Sequence, residues 1–534
     1  MKPDDLVSAP IELRLSRAAE LRPEGEALVV RGDRFTYARL DSWHRAIAAF
    51  LLDSSIKLGD SVLWQLPNLP EALVIHAAIL RAGCVSIPLP MLYRRHELNQ
   101  IISDSRPSAV FAIDGYRQRD AVSEVEQALS DARHDPRLRG CLGNAPAGWT
   151  SFPAEPSSSE NSENVDDLAN RSRFGPDEPV LILYTSGTTA EPKGVIHTRR
   201  SLENVTAMLH SWCRFDGESC FITAAPVAHI AGLLAMSFLP LTCAGKAVLM
   251  DGWDPEEAVE LVAAERATFS CGASVFLNEL VETYETLESD RGFHRLSTFI
   301  CGGSAIPPDL IVRAAKEGVS AFRSWGMTEA PMIGMSHSSD PLEIRAGTDG
   351  RVCPGGEVEA VDDERRPLPV GEIGELRVRA PQMMLGYTSN SMNRTHLDGS
   401  GWLYTGDVGF VDATGCVTMT GRTKDIINRG GEKFSAQDVE NALATHPAIT
   451  VAAIVAVSDP RFGEEAACFI QLRQGAEWPG DQSFIRHLEA AGLARQKIPK
   501  YWSLIEEMPR TSAGKIRKDV LRSLSDQSLV ITTD

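Results

Sequence analysis

A chain of 534 residues with 43% apolar content can bury a sizeable core and divide into at least two domains, which excludes a disordered protein. Its formal net charge of -19 argues against nucleic acid and anionic membrane as partners, because a binder of phosphate backbones presents a basic face. Ten cysteines without a CxxC pair or Cys/His clustering predict neither a structural zinc site nor a disulfide framework and fit a reducing, cytoplasmic setting.

Met1 to Leu6 carries no signal-peptide apolar run, and Ile531 to Asp534 is no peroxisomal address. From residue 27 to 115 short apolar runs alternate with helical patterns. Val62–Leu66 reads as a strand, Glu71–Ala82 as a helix and Val85–Ile87 as another strand, the rhythm of a parallel sheet covered by helices. The Ser- and Glu-rich stretch Pro153–Asn164 predicts a mobile surface loop.

Val180–Tyr184 reads as a buried strand. It runs into Thr185, Ser186, Gly187, Thr188 and Thr189, whose hydroxyls and unhindered backbone N–H groups suit phosphate oxygens, and Lys193 adds a positive charge. The order is not that of Walker A, since the lysine precedes its glycine and no Ser or Thr follows it, so a P-loop NTPase is excluded. Val195-Ile196 is strand-like, and the next helix signal begins at Ser201 with Leu202, Val205 and Leu209 on one face. Phosphates would therefore lie under a loop between two strands.

Ser219–Gly245 carries no charged residue apart from a possible histidinium at His229. Pro226, Pro240 and the strand-like Ala247–Met250 nonetheless predict a buried core helix and strand rather than a membrane span. Farther along, the strand Cys416–Thr420 leads through Gly421–Lys424 into a compact unit of about 110 residues, domain-sized by itself. Its helix starts at Ser435 with Asp438 three residues on, a variant of the capping box, and stops at His446-Pro447. The strand Ile449–Val457 follows.

The segment Tyr184 to Thr198 resembles the signature loop of the adenylate-forming enzymes, the superfamily of acyl-CoA synthetases, nonribosomal peptide adenylation domains and beetle luciferases. Further blocks follow in the family's order: Trp325-Gly-Met-Thr-Glu329, Tyr404-Thr-Gly-Asp407, Gly421-Arg-Thr-Lys-Asp425, Arg429-Gly-Gly-Glu-Lys433 and Pro509-Arg-Thr-Ser-Ala-Gly-Lys515. They look most similar to bacterial acyl-CoA ligases and stand-alone aryl-acid adenylating enzymes. The resemblance implies an α/β fold with a large N-terminal domain, residues 1–422, of stacked mostly parallel sheets with helices plus a small barrel-like part. A small mobile C-terminal α+β domain, residues 423–534, would complete it.

By the same resemblance, Lys515 is the cation that bridges the α-phosphate and the acyl carboxylate, a preorganised donor to the charge of the transition state. Glu329 would bind Mg2+, a role suited to a hard carboxylate oxygen, and Thr328 would contact the α-phosphate. Trp325 stands where the family usually has a tyrosine beside adenine; it keeps an aromatic face and leaves a polar contact in doubt. Asp407 and Arg422 resemble the residues on the ribose, the acceptor-only carboxylate receiving its hydroxyls. Lys424 matches the hinge, and Gly430 and Gly431 the loop along the pantetheine path, though a hairpin turn would also account for that pair. His229, Gly302, Gly303 and Ser304 resemble elements that line the acyl pocket.

The function implied is ATP-dependent activation of a small carboxylic acid to an acyl-adenylate, then transfer to CoA. The acid would be medium-chain, alicyclic or aromatic. Ile230 replaces the asparagine of hydroxybenzoate-activating relatives, which weakens that substrate, although Arg429–Lys433 and Gln496–Pro499 look similar to that branch as well as to ligases for alicyclic and medium-chain acids. The alternatives are delivery to the phosphopantetheine of an acyl carrier protein, another acceptor or another oxyanion. A non-catalytic scaffold is opposed by intact Lys515, Glu329, Asp407 and Lys193. Oligomeric state is left as monomer or homodimer.

Overall fold

The computed structural model describes residues 4–156, 174–185, 193–287, 296–303, 306–430, 432–511 and 514–528. Two large sheets organise the first part of the chain. One has eight strands, with Ser61–Gln65 parallel to both Val85–Pro88 and Ala109–Ile113, as the alternation of apolar runs and helical patterns leads one to expect. At its edge Pro179–Thr185 runs parallel to Val85–Pro88 and then turns back antiparallel as Lys193–Thr198. The other has nine strands, parallel through Lys246–Leu249, Cys220–Thr223, Phe269–Gly272, Thr298–Cys301 and Ala321–Met327.

The main apolar cluster joins the two sheets, with Val62 and Trp64 from the first and Leu28, Phe221 and Ala247 from the second. Ile47, Ile75 and Leu202 from the helices Tyr37–Asp53, Pro70–Arg81 and Arg199–Cys213 complete it. Such a core excludes water from short strands buried on both faces, so both sheets are held as rigid supports for the loops at their ends. The small barrel-like part is an antiparallel sheet of Glu357–Val361, Gly374–Arg379, Leu403–Val411 and Val417–Arg422. Beyond Arg422, a single 3-10 turn Thr423–Asp425 leads into a five-stranded sheet built from residues 426–504, packed against the helices Ala436–Leu443 and Asp481–Ala490.

Several expectations shift in detail. The stretch from Ser219 to Gly245 forms a strand Cys220–Thr223, a short helix Ile230–Leu233 and a wider π turn Leu234–Phe238. Among the described residues no helix is long and apolar enough to cross a membrane. The helix after the phosphate-loop strands starts at Arg199, because Thr198 caps the backbone N–H of Ser201 and Ser201 Oγ accepts in return from Thr198. The strand read as Cys416–Thr420 extends to Arg422. Ser435 does cap the helix Ala436–Leu443, but no reciprocal box forms, since the Asp438 carboxylate accepts from Lys497 Nζ at 2.7 Å. The loop expected at Pro153–Asn164 begins tied down, with Trp43 Nε1 donating to the Pro153 carbonyl and Arg39 paired with Glu155. From residue 157 it lies outside the described residues.

Candidate active site

The strand ends of both sheets, the antiparallel sheet and one loop of the C-terminal unit converge on a single region. Thr185 and Lys193 face each other across the antiparallel pair, closing the loop whose Ser186, Gly187, Thr188 and Thr189 lie outside the described residues. Gly194 leaves room for Thr388, because a Cβ at 194 would stand 2.8 Å from that side chain. Opposite, Thr328 and Glu329 form the buried turn between the strands Ala321–Met327 and Ala330–Met335.

Sequence reasoning missed two residues that hold this turn. His197 Nε2 lies 2.7 Å from the Thr328 carbonyl and its Nδ1 lies 3.1 Å from Ser201 Oγ. Burial draws the His197 pKa down to about 4, so the ring is a neutral hydrogen-bonding strut at neutral pH. The second is Tyr387, whose hydroxyl donates to Glu329 Oε1 at 2.9 Å.

Trp325 sits in an apolar cluster with Val195, Ile333 and Tyr387. The indole brings a polar contact of its own, its Nε1–H donating to Asp407 Oδ2 at 2.9 Å. Arg422 Nε pairs with the other oxygen, Oδ1, also at 2.9 Å, across the antiparallel ladder that sets Asp407 opposite Arg422. The Asp407 carboxylate is buried and its orientation is fixed from both sides, while each oxygen keeps acceptor capacity.

Lys515 reaches in from the C-terminal unit. Its loop is closed by Thr511 N–H donating to the Lys515 carbonyl at 2.7 Å and Lys515 N–H donating to Thr511 Oγ1 at 3.1 Å. Gly514, at φ +80°, lets that loop lie against Val275, where a Cβ would come within 2.9 Å of Val275 Cγ1. Gly303, also left-handed at φ +78°, faces the lysine: a Cβ there would stand 3.2 Å from Lys515 Cε and 3.8 Å from Nζ. The residue as a whole is half-buried, and desolvation acts on its ammonium end, which is the end that titrates. Burial, then the charge of Arg422, draws its pKa down to about 8.

Lys424, in the 3-10 turn, is lowered by desolvation and then by the charges of Arg422, Arg522 and Lys193. Because this side chain is exposed, the neighbouring charges bear on the site more than desolvation does. Lys193, Arg422, Lys424 and Lys515 thus stand within electrostatic reach of their neighbours in a protein of net charge -19. Such a gathering of cations around the carboxylates of Asp407 and Glu329 suits a polyanion that carries its own cation.

His229 stands at the N-cap position of the short helix Ile230–Leu233 without a side-chain capping hydrogen bond, within reach of the Lys515 charge. Burial, then the Lys515 charge, lowers its pKa to about 4, so the possible histidinium is a neutral imidazole. Gly302 is fixed by packing, since a Cβ would meet Ser324 Oγ at 2.6 Å. Ser304 lies outside the described residues. Gly430 turns the hairpin between Ile426–Arg429 and Glu432–Ser435 at φ +62°, and Gly431 lies outside the described residues.

The family model described as AMP-binding enzyme matches residues 15–388, and that of the AMP-binding enzyme C-terminal domain matches residues 438–515. The chain belongs to the AMP-binding enzyme family. Within it, the chain is 31% identical over 522 residues to the medium-chain fatty-acid–CoA ligase of Escherichia coli, spanning 95% of this chain and 90% of that one. It is 28% identical to the indoleacetate–CoA ligase of Aromatoleum aromaticum, over 96% of this chain and 97% of the relative. The crystal structure of ATP-bound MatB from Rhodopseudomonas palustris superposes with a TM-score of 0.82 at 27% identity, covering 97% of this chain and 98% of that one. Its family membership makes this chain an adenylate-forming ligase, and the four cations gather on the segments that carry the family's ordered blocks.

Proposed function

We infer that this chain joins a carboxylic acid to CoA at the expense of ATP, through an enclosed acyl-adenylate, and that residues 423–534 turn against residues 1–422 between the two steps. The convergence of Lys193, Arg422, Lys424 and Lys515 on one region carries the reading. In-line displacement at the α-phosphorus needs positioned cations and donors more than a general base. Lys515 would hold the acid oxygen and the α-phosphate together, with Thr328 on the same phosphate. Thr185, Ser186, Gly187, Thr188, Thr189 and Lys193 would cradle the β- and γ-phosphates. Trp325, Asp407 and Arg422 would orient the nucleoside.

Among the described residues no three His, Cys, Asp or Glu side chains come together as a closed metal site. One buried glutamate fits Mg2+ all the same, because this ion is commonly held by one or two carboxylates plus substrate phosphates. Glu329 would hold it, and the ion would neutralise phosphate charge when bound.

Transfer to CoA would follow rotation about Lys424, with Gly430 and Gly431 along the pantetheine. The acyl side, with a neutral His229, Gly302, Gly303 and Ser304, supports an acid whose body carries no charge: medium-chain, alicyclic or aromatic. The test is pyrophosphate release from ATP across aliphatic, alicyclic and aromatic acids, with and without CoA, beside Lys515→Ala. The expected result is acid-dependent release that rises with CoA, yields a thioester and is lost in the variant. Release without thioester would redirect the acceptor to a carrier-protein phosphopantetheine, and silence with every acid would overturn the reading.

A further inference from the structure

Glu329 is buried, and its carboxylate is useful to a cation only if one oxygen points the right way. The residues that control it come from a short segment more than fifty positions later in the chain. Met384 N–H donates to the Glu329 carbonyl, Leu385 N–H to the Ile196 carbonyl and Thr388 N–H to the Gly194 carbonyl, each at 2.8 Å. The two-residue strand Gly386–Tyr387 pairs antiparallel with Ile196 and Val195. Segment 384–388 therefore ties the strand that leaves the phosphate loop to the turn bearing Glu329.

The Tyr387 backbone is itself bracketed. Its N–H donates to Asn393 Oδ1 at 2.7 Å, and Asn393 Nδ2 donates to its carbonyl at 2.9 Å. Gly386, at φ +157°, makes room, since a Cβ there would lie 2.9 Å from Asn393 Oδ1. With its backbone clamped and its ring in the apolar cluster of Trp325 and Leu403, the phenol has one direction to point, toward Glu329 Oε1 at 2.9 Å.

We propose that Tyr387 is a positioning residue that occupies one oxygen of Glu329 and so presents the other to the divalent cation of the nucleotide. A carboxylate fixed by one charge-assisted hydrogen bond loses no rotational freedom when the cation arrives, which is preorganisation of a metal ligand from outside its coordination shell.

The inference rests on Glu329 as the metal-binding carboxylate of the proposed function, and the experiment separates the two. In the full-length chain, Mn2+ affinity is read by electron paramagnetic resonance with a non-hydrolysable ATP analogue bound, for wild type, Tyr387→Phe and Glu329→Gln. Loss of an outer-shell partner typically weakens metal affinity about 10- to 100-fold. Tyr387→Phe is expected near the lower end of that range, with the Mg2+ needed for half-maximal pyrophosphate exchange rising by the same factor while the KM for the acid holds. Combined with Glu329→Gln, it adds no further loss. A response of Glu329→Gln without one of Tyr387→Phe overturns this inference alone, whereas no response of Glu329→Gln removes the metal role beneath it. Should the phenylalanine variant not fold, ring-fluorinated tyrosine at 387 keeps the volume and strengthens the donor. Its Mn2+ affinity is expected to move at least about two-fold, and an unchanged affinity overturns the proposal.

Discussion

In the proposed function Lys515 must be charged to steady a phosphate, yet burial draws its pKa down to about 8. The sign of the pH dependence follows. In the free enzyme the ammonium loses its proton as pH rises through about 8, so kcat/KM for ATP is expected to fall about tenfold per unit above that point. Bound ATP brings negative charge and favours the ammonium, so the falling limb of kcat lies at higher pH. Lys515→Ala removes both limbs and costs on the order of 100- to 1000-fold in rate. Stability runs the other way. Below about pH 8 the folded state carries the full cost of enclosing the charge. Between about 8 and the ordinary value of 10.5 the unfolded chain binds more protons, so that cost is relieved as pH rises. Lys515→Met, which has no charge to enclose, is therefore expected to resist urea better than wild type at pH 7 and to lose the advantage toward pH 10. An advantage that is flat with pH would show that the ammonium is solvated.

At the scale of elements, the helix Arg199–Cys213 depends on the reciprocal cap between Thr198 and Ser201 for its register beside the phosphate loop. Thr198→Ala removes a cap worth about 1 kcal/mol. Amides of residues 199–202 are then expected to exchange about five-fold faster with deuterated solvent, with the core strand Ser61–Gln65 unchanged. This helix also marks how far the sequence could be read. Strands at Ser61–Gln65, Val85–Pro88 and Pro179–Thr185 are legible because a short apolar run between turn residues announces itself locally. Where an element starts or what caps it depends on partners: Ser201 looks like a cap but answers one, and Asp438 is claimed by Lys497, 59 residues away. The site divides the same way. Its hydroxyl-rich loop and ordered blocks can be recognised from residue types alone, but Tyr387 and His197 act on Glu329 and on Thr328 from 58 and 131 residues away. No local pattern assigns a tyrosine to a particular glutamate; packing does.

Across the whole molecule, the docking of the C-terminal unit decides whether Lys515 is present at all. Gly514 packs on Val275 and Ala273, at the start of the helix Ser274–Thr286, and Arg510 Nη1 donates to the Gly514 carbonyl beside Glu279. Farther along the same helix Glu282 pairs with Arg473 Nη1 at 3.1 Å, both side chains more than a third exposed. An exposed pair of this kind is worth only about 0–1 kcal/mol, so its loss leaves the folded units intact. If the docking reverses in every turnover, as the proposed rotation requires, it is sensitive to that amount, because about 1 kcal/mol changes the docked population roughly five-fold. Arg473→Glu, which sets two acids against each other, is expected to lower kcat/KM for pyrophosphate exchange about two- to five-fold at low salt. The deficit should shrink near 1 M salt, where screening reaches about 3 Å. Transfer from a preformed acyl-adenylate to CoA should not slow, since under the proposed rotation that step begins by leaving the docked arrangement. The charge-reversed pair, Arg473→Glu with Glu282→Arg, should recover exchange. Equal slowing of both half-reactions, without recovery in the reversed pair, would mean that the contact supports the fold of its own units and does not weight the choice between them.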